Sequence, residues 1–166
     1  MTIISLIKRL NIRQLFKLMG LGLQKPLYII PTFIATKRTL AICDSLYGGQ
    51  HHFHGKANAF RHCLWNVLIC QRVLKVSGDE AKSEYWAKRI TDLHEKLAPN
   101  APLEQTMDLH NNELGRMYFK KLKDSTEDLV ITFLQEQMNI AKRIINVEQI
   151  DMFKDNMVYI SEIMDS

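Results

Sequence analysis

The chain is short of several features that define common classes of protein. Its 166 residues include only three cysteines, Cys43, Cys63 and Cys70, and no two of them form a C-x-x-C pair. An odd count with this spacing favours neither a disulfide framework nor a thiolate zinc cluster. We therefore expect a reducing compartment, with Cys63 and Cys70 acting as small buried apolar residues.

Long apolar runs and nucleotide-binding loops are also missing. No stretch offers the roughly 20 apolar residues that span a bilayer, and the charges near the start do not follow the order of a signal peptide. No serine stands in a nucleophile elbow, and no glycine-rich phosphate loop occurs. Aromatic residues make up only 8% of the chain. These absences predict a cytoplasmic protein without a nucleotide or organic cofactor, and they disfavour nucleic-acid binding.

Acidic residues are absent from the first quarter of the chain. Seven of the 22 basic residues precede the first acidic residue, Asp44, whereas the remainder holds 15 basic and 18 acidic residues. Apolar residues recur near helical spacing over residues 1–25, so we predict a basic amphipathic N-terminal helix there. Two alternatives stay open for it. In the first, residues 1–24 bind a partner protein or an anionic membrane surface, which would place the protein at the periphery of the inner membrane. In the second, the helix packs on the core.

Residues 26–166 are expected to form a single all-α domain. Helix-breaking glycine and proline residues divide an apolar pattern of helical period into segments, and no period-two run bounded by hairpin turns is present. After Lys123, Ser125 is predicted to cap a helix with Asp128 as its capping-box partner, and this helix should run to about Ile145. A seventh, frayed helix is predicted after it. The predicted fold is a bundle of about six or seven helices.

Three histidines, His51, His52 and His54, lie in the stretch "QHHFHGKAN" between two predicted helices. Its polar composition predicts a short loop. Histidines in such a tract can coordinate a metal ion, but no acidic residue lies beside them in the sequence. We therefore interpret all three as solvated side chains.

Three other segments place histidine inside predicted helices: "NAFRHCLWN", "DLHE" and "MDLHNNELGR". In the first, Asn58, His62 and Asn66 are four residues apart and share one stripe of a helix. Polar groups on an otherwise apolar helix indicate a functional or structural role, because burying them without partners costs about 1–3 kcal/mol each. The motif region over residues 57–116 is thus where any chemistry is expected.

The histidines of these segments are predicted to converge. Helical geometry turns His94 and His110 toward the interior, so three consecutive helices contribute one imidazole each, from His62, His94 and His110. Together with Asp108, they supply the ligands of a catalytic divalent metal site, for which zinc is the first candidate. Such an ion lowers the pKa of bound water toward about 7 and so provides a nucleophile at neutral pH.

Further polar residues of the motifs are assigned roles around this site. Carboxylates and amides beside the imidazoles act as general base or as orienting groups. The predicted catalytic residues are His62, Glu95, Asp108, Asn111 and Asn112. The predicted substrate-binding residues are Asn58, Arg61 and Arg116, of which the arginines would receive an anionic group. A metal-free alternative uses His62 or His110 as the base. Gly115 is expected to allow another backbone or a ligand to approach closely.

The ordered motifs resemble an uncharacterised bacterial domain family. Its members share N-A-x-R-H-x-x-W-N, then a H-E pair, then M-D-L-H-N-N-x-x-G-R. The resemblance covers residues 57–116 and implies that the matching positions belong to the family pattern. These positions are His62, His94, Glu95, Asp108, His110, Asn111, Asn112 and Arg116. Cys63 stands where alanine is expected. The resemblance reinforces the site without naming a reaction.

Two classes of function are consistent with these features. The first is a small hydrolase that acts on a phosphoester or lipid-type substrate near a membrane, with a metal-dependent site between three helices. The alternative is a non-enzymatic helical interaction module, in which buried polar groups fix the register of the helices. The two classes differ in whether the motif region binds a divalent metal ion.

Overall fold

The fold consists almost wholly of helices. The computed structural model describes residues 20, 24–97 and 101–161. Within them the α-helices, in chain order, are α1 (Pro26–Tyr47), α2 (Lys56–Ser77), α3 (Glu80–Leu97), α4 (Pro102–Leu122) and α5 (Glu127–Asn139). This confirms the predicted single all-α domain. The N-terminal helix predicted over residues 1–25 lies outside the described residues, apart from Gly20, Gln24 and Lys25.

Helix α2 is the centre of the bundle. It packs against α1, α3, α4 and α5. More than half of its residues are buried, among them Phe60, Leu64 and Val67. Burying one such side chain contributes about 1.5–3 kcal/mol to folding, so α2 organises the core on which its neighbours pack. No helix in the described part of the chain is both long and apolar enough to cross a bilayer.

A glycine brings the backbones of α2 and α4 together. A Cβ atom at Gly115 would lie 2.6 Å from the carbonyl oxygen of Cys63 and 2.9 Å from Cβ of Asn66. No side chain fits at these distances, so the close approach predicted for Gly115 is confirmed. The contact also decides which face of α4 turns toward α2.

Helix boundaries follow local signals in most places. α1 and α2 are followed directly by Gly48 and Gly78, the C-cap residues, which both have positive φ angles, 54° and 63°. The prediction for α5 was wrong at both ends. Its N-cap is Thr126, whose hydroxyl oxygen accepts a hydrogen bond from the N–H of Leu129, and the helix ends at Asn139 rather than near Ile145.

The segment after α5 forms two short strands and a 3-10 helix instead of a seventh α-helix. Strand β1 (Lys142–Arg143) pairs in parallel with strand β2 (Val158–Tyr159), and a 3-10 helix (Val147–Phe153) lies between them. Asn111 of α4 holds β2 in place, since its side chain accepts from the N–H of Val158 at 3.0 Å and donates to the Val158 carbonyl at 2.9 Å. These partners are distant in sequence, so a local pattern could not predict them.

Candidate functional site

Three ionisable side chains meet inside the bundle, one from each of α2, α3 and α4. They are His62, Glu95 and Asp108, which we call the buried cluster; each is at most 4% exposed. One ligand atom from each lies within 4.8 Å of the others. His62 Nε2 is 3.2 Å from Asp108 Oδ1, and His62 Nδ1 is 3.8 Å from Glu95 Oε1. This geometry could hold a metal ion.

Two buried asparagines surround the cluster. The side-chain oxygen of Asn112 lies 3.0 Å from His62 Nδ1 and accepts a hydrogen bond from the Asn66 amide at 2.8 Å. The Asn112 amide nitrogen donates to Glu95 Oε1 at 3.2 Å. Arg116, which is 8% exposed, donates to the Asn66 side-chain oxygen at 3.1 Å. The cluster is therefore held in a hydrogen-bonded network that spans three helices.

Burial shifts the pKa of every member of the cluster in the direction that favours the neutral form of the group. It raises the pKa of Glu95 to about 7. For Asp108, burial and then the nearby Glu95 charge raise the pKa to about 8. Burial, followed by the Arg61 charge, lowers the pKa of His62 well below its usual value. At neutral pH, without a cation, the cluster thus combines a neutral imidazole with an Asp108 carboxyl group that mostly retains its proton and a Glu95 carboxyl group that is about half ionised.

Arg61 supplies a positive charge at the edge of the cluster. Its Nη2 atom is 2.9 Å from Nε2 of His62. The same guanidinium lowers the pKa values of Glu95 and Asp108, although burial outweighs this effect. A side chain predicted to bind substrate therefore lies directly against the cluster.

The predicted convergence of three imidazoles is not observed. His94 packs edge-on against Trp65, with ring centroids 5.2 Å apart. His110 Nε2 lies 2.9 Å from the backbone carbonyl of Asn156. Among the described residues, neither imidazole belongs to a group that could hold a metal ion. Helix α4 instead turns Asp108 and Asn112 toward α2, because the contact at Gly115 selects that face.

The remaining predicted residues take different positions. Asn111, which was predicted to be catalytic, uses both ends of its side-chain amide to hydrogen-bond the backbone of Val158 in β2. Asn58, one turn before His62, is buried, and its side-chain oxygen has no hydrogen-bond partner among the described residues. Thr91 was not predicted. It contacts the side-chain oxygen of Asn66 at 3.5 Å and lies one turn before Glu95, a spacing that could have indicated it.

An open cavity of about 550 Å³ leads to one side of this network. It lies between α3 and α4, and Glu95, His110 and Arg116 are part of its lining. Ile150 of the 3-10 helix also lines it. A small molecule or ion could therefore approach the cluster from solvent through this cavity.

A second group of potential ligands, which we call the turn cluster, lies between α1 and α2. It consists of Asp44, His51 and His52. His51 is fully buried, with Nε2 2.8 Å from Asp44 Oδ1, and its ring centroid is 4.0 Å from that of His52. The prediction that all three histidines of this stretch are solvated was wrong for His51, because Asp44 reaches it from the last turns of α1.

The cysteines have structural positions. All three are buried and free. Burial raises the pKa of the Cys43 thiol to about 12 and that of Cys63 further, so neither is a thiolate at neutral pH. The thiol of Cys63 donates to the Asn111 carbonyl at 3.2 Å. The interpretation of Cys63 and Cys70 as small buried residues is confirmed.

Comparison with known proteins assigns the chain to a family. No curated protein and no solved structure matches it. The model of a family described as Domain of unknown function (DUF6973) matches residues 19–142, which is most of the chain. The match includes the whole motif region and continues through α5, beyond the residues 57–116 that carried the resemblance. The chain therefore belongs to the family described as Domain of unknown function (DUF6973).

Proposed function

We propose that the buried cluster is the centre of a small hydrolase and holds a divalent metal ion through His62, Glu95 and Asp108. The observation that supports this proposal is the meeting of one imidazole and two carboxyl groups, all buried, from three different helices. A core built for stability alone gains nothing from such a group, because apolar residues of similar volume are often at least as stabilising.

The carboxyl groups favour a cation as the missing counter-charge. Burial disfavours the ionised form of both acids and raises their pKa values to about 7 for Glu95 and about 8 for Asp108, where the neighbouring Glu95 charge adds to the effect. A divalent ion pairs with both carboxylates at once and offsets the cost of burying their charge. The raised pKa values therefore fit a site that exchanges protons for a metal ion.

The donor set limits which ion fits. Imidazole suits zinc and iron, whereas carboxylate oxygen also suits manganese and magnesium. One imidazole with two carboxylates is thus compatible with zinc, the first candidate, and with manganese or iron. When bound, such an ion supplies a hydroxide nucleophile at neutral pH. The three side chains of the buried cluster would hold the ion and exclude bulk water from its buried side. Asn112 would orient two of them, His62 and Glu95.

The substrate proposed is a phosphoester, including those of lipids. The Arg61 guanidinium adjoins His62, and its planar donor groups match phosphate oxygens. For Arg61 to bind substrate, it must move from His62 Nε2. The lipid part is supported by the basic sequence of residues 1–24 and by exposed apolar residues that continue along α1, such as Leu27 at 73% and Ile30 at 69%.

Metal binding and hydrolysis by the full chain test this proposal. Zinc and manganese are titrated calorimetrically into wild-type protein, Asp108→Asn and the matched control Asp44→Asn, which alters the turn cluster. We expect Asp108→Asn to lose at least about 100-fold in affinity and Asp44→Asn less than threefold, because only Asp108 is a ligand of the proposed site. Hydrolysis of bis(p-nitrophenyl) phosphate should fall in parallel. Equal affinity in all three proteins would contradict the proposal.

The membrane part has its own test. Flotation with vesicles containing an anionic phospholipid is compared for the full chain and for a chain lacking residues 1–24. We expect the truncated chain to lose most of its binding, because the basic charge that attracts anionic lipid is concentrated there. Equal recovery of both proteins with the vesicles would remove the membrane from the proposal and leave the metal site unaffected.

One observation favours the alternative of an interaction module. The hydrogen bonds of Asn66, Asn112 and Arg116 tie three helices together and would fix their register without any metal ion. In that case Asp108→Asn lowers the melting temperature, and the wild-type protein binds no divalent metal in the titration above. The two functions therefore give opposite results in the same experiment.

A further inference from the structure

A continuous relay of hydrogen bonds connects Arg116 to His62. It runs from the Arg116 guanidinium to Asn66, from Asn66 to Asn112, and from Asn112 to the imidazole. Every side chain in it is buried. Because some of these groups can only donate and others can only accept, the relay fixes the position of each hydrogen.

The amide of Asn66 is oriented from both ends. Its oxygen faces Nη1 of Arg116 at 3.1 Å, and a guanidinium only donates. Its nitrogen faces the backbone carbonyl of His62 at 3.0 Å, and a carbonyl only accepts. A rotated amide would place donor against donor and acceptor against acceptor. Asn66 must therefore present its N–H groups to Asn112.

The orientation of Asn112 follows from that of Asn66. The atom of Asn112 that lies 2.8 Å from the Asn66 amide nitrogen has to be its oxygen, since it accepts. The nitrogen of Asn112 then points to Glu95 Oε1, 3.2 Å away, where it donates. The oxygen that Asn66 selects also lies 3.0 Å from His62 Nδ1.

The last step fixes the tautomer of the imidazole. A nitrogen that faces the Asn112 oxygen at hydrogen-bonding distance must carry a hydrogen, so His62 is protonated at Nδ1. In the neutral ring the lone pair is then on Nε2, 3.2 Å from Asp108 Oδ1. Arg61 donates to the same Nε2 at 2.9 Å, which agrees with this tautomer.

We propose that Arg116, Asn66 and Asn112 are positioning residues that keep the Nε2 lone pair of His62 turned toward Asp108 when Arg61 leaves this nitrogen. The proposal rests on the proposed function in one respect: a metal ion at Nε2 requires the lone pair there and the departure of Arg61. It gives Arg116 a role other than the predicted binding of substrate. The relay corresponds to the outer hydrogen bonds that orient metal-binding histidines in general.

The test observes the tautomer directly. Full-length protein with 15N-labelled histidine is studied by long-range 1H–15N correlation, which distinguishes a protonated ring nitrogen from one with a lone pair. Arg61→Ala serves as the background, because it removes the other group that favours the same tautomer. We expect wild type and Arg61→Ala to be protonated at Nδ1, so that Arg61→Ala differs from wild type only in the donor at Nε2.

Breaking the relay in this background should move the hydrogen. Arg61→Ala/Asn112→Leu is expected to be protonated at Nε2, where Asp108 can accept, and Arg61→Ala/Arg116→Met should show a mixture of tautomers. Arg61→Ala/Arg116→Lys is the matched control; it keeps a donor toward Asn66 and should retain Nδ1–H. Zinc affinity should fall about tenfold from Arg61→Ala to Arg61→Ala/Arg116→Met, as is typical when outer hydrogen bonds to a ligand are lost.

Several results would overturn the proposal. If Arg61→Ala alone moves the hydrogen to Nε2, Arg61 sets the tautomer and the relay does not. If the Arg116→Met double variant keeps Nδ1–H entirely, Arg116 is not part of the device. A wild-type spectrum with Nε2–H overturns it even where a variant does not fold. If no protein binds zinc but the spectra are as expected, the proposed function fails while the relay stands.

Discussion

The buried cluster and the turn cluster contain the same kinds of side chain in opposite electrostatic states. In the turn cluster, the Asp44 side chain is 64% exposed, and its hydrogen bond with His51 lowers its pKa. In the buried cluster, burial raises the pKa of Asp108 to about 8. An exposed carboxylate is already ionised and hydrated, whereas a buried pair needs a counter-charge. Burial, rather than residue type, therefore sets the opposite pKa shifts of the two aspartates.

The two clusters also differ in how they are assembled. Asp44 and His51 are seven residues apart, so one turn at the end of α1 brings them together. His62 and Asp108 come from helices that are joined by the Gly115 contact. Any change that separates α2 from α4 should therefore disturb the buried cluster and leave the turn cluster intact.

Gly115→Ala should have the largest effect on stability and should disturb the buried cluster but not the turn cluster. The added Cβ would lie 2.6 Å from the Cys63 carbonyl oxygen, so α4 must move away from α2. We expect the free energy of unfolding to fall by about 2–3 kcal/mol, the upper range for overpacking a core, with loss of metal binding. Denaturant unfolding measures the change. Gly49→Ala is the control, since a Cβ there meets no atom within 4 Å; an equal effect of both substitutions would refute the prediction.

The pH dependence of stability should separate the clusters next. The folded protein keeps protons on Glu95 and Asp108 that the unfolded chain releases above about pH 4, so their contribution to stability falls as pH rises. The lowered pKa values of His62 and His94 act in the opposite direction, but only below about pH 6.5, where the unfolded histidines become charged. Between about pH 6.5 and 8, the carboxyl groups therefore dominate.

In that window we expect metal-free protein to lose about 2 kcal/mol in its free energy of unfolding, measured with denaturant at each pH. Glu95→Gln/Asp108→Asn should remove most of this slope. Asp44→Asn should leave it unchanged, because the lowered pKa of Asp44 affects stability only in acid. A slope that survives the double substitution would place its origin elsewhere in the molecule.

Arg61→Ala should give the smallest free-energy change, and the quantity that changes is the affinity of the buried cluster for zinc. Removing a resident guanidinium from His62 Nε2 exposes the lone pair to a metal ion. We expect zinc affinity to rise about tenfold, or about 1.4 kcal/mol, by calorimetry, while phosphoester hydrolysis slows because the anion loses its partner. Arg89→Ala removes a charge that bonds Gln24 instead and should do neither. Weaker zinc binding in Arg61→Ala would contradict the competition between the two cations.

Several parts of the site could be predicted from the sequence because their causes are local. Asn58, His62 and Asn66 share one face of α2 by helical periodicity alone, and α2 does bury all three. The prediction failed for His110, because periodicity gives the angle between residues on a helix but not which face turns inward. His94 does turn inward, since burial lowers its pKa to about 4, but it packs against Trp65 and is not in the group that could hold a metal ion. The prediction also failed for His51, whose partner Asp44 lies in a different element.

Local sequence signals are sufficient for the helical fold, for the glycine breaks that follow α1 and α2, and for the region where polar groups concentrate. These depend on propensities and caps that act over a few residues. Packing between helices selects Asp108 and Asn112, rather than His110, as the neighbours of His62, and it brings Asn111 to β2. The reason is physical: the choice of face follows from the contact of Gly115 with Cys63, more than fifty residues earlier, and only packing brings these two together.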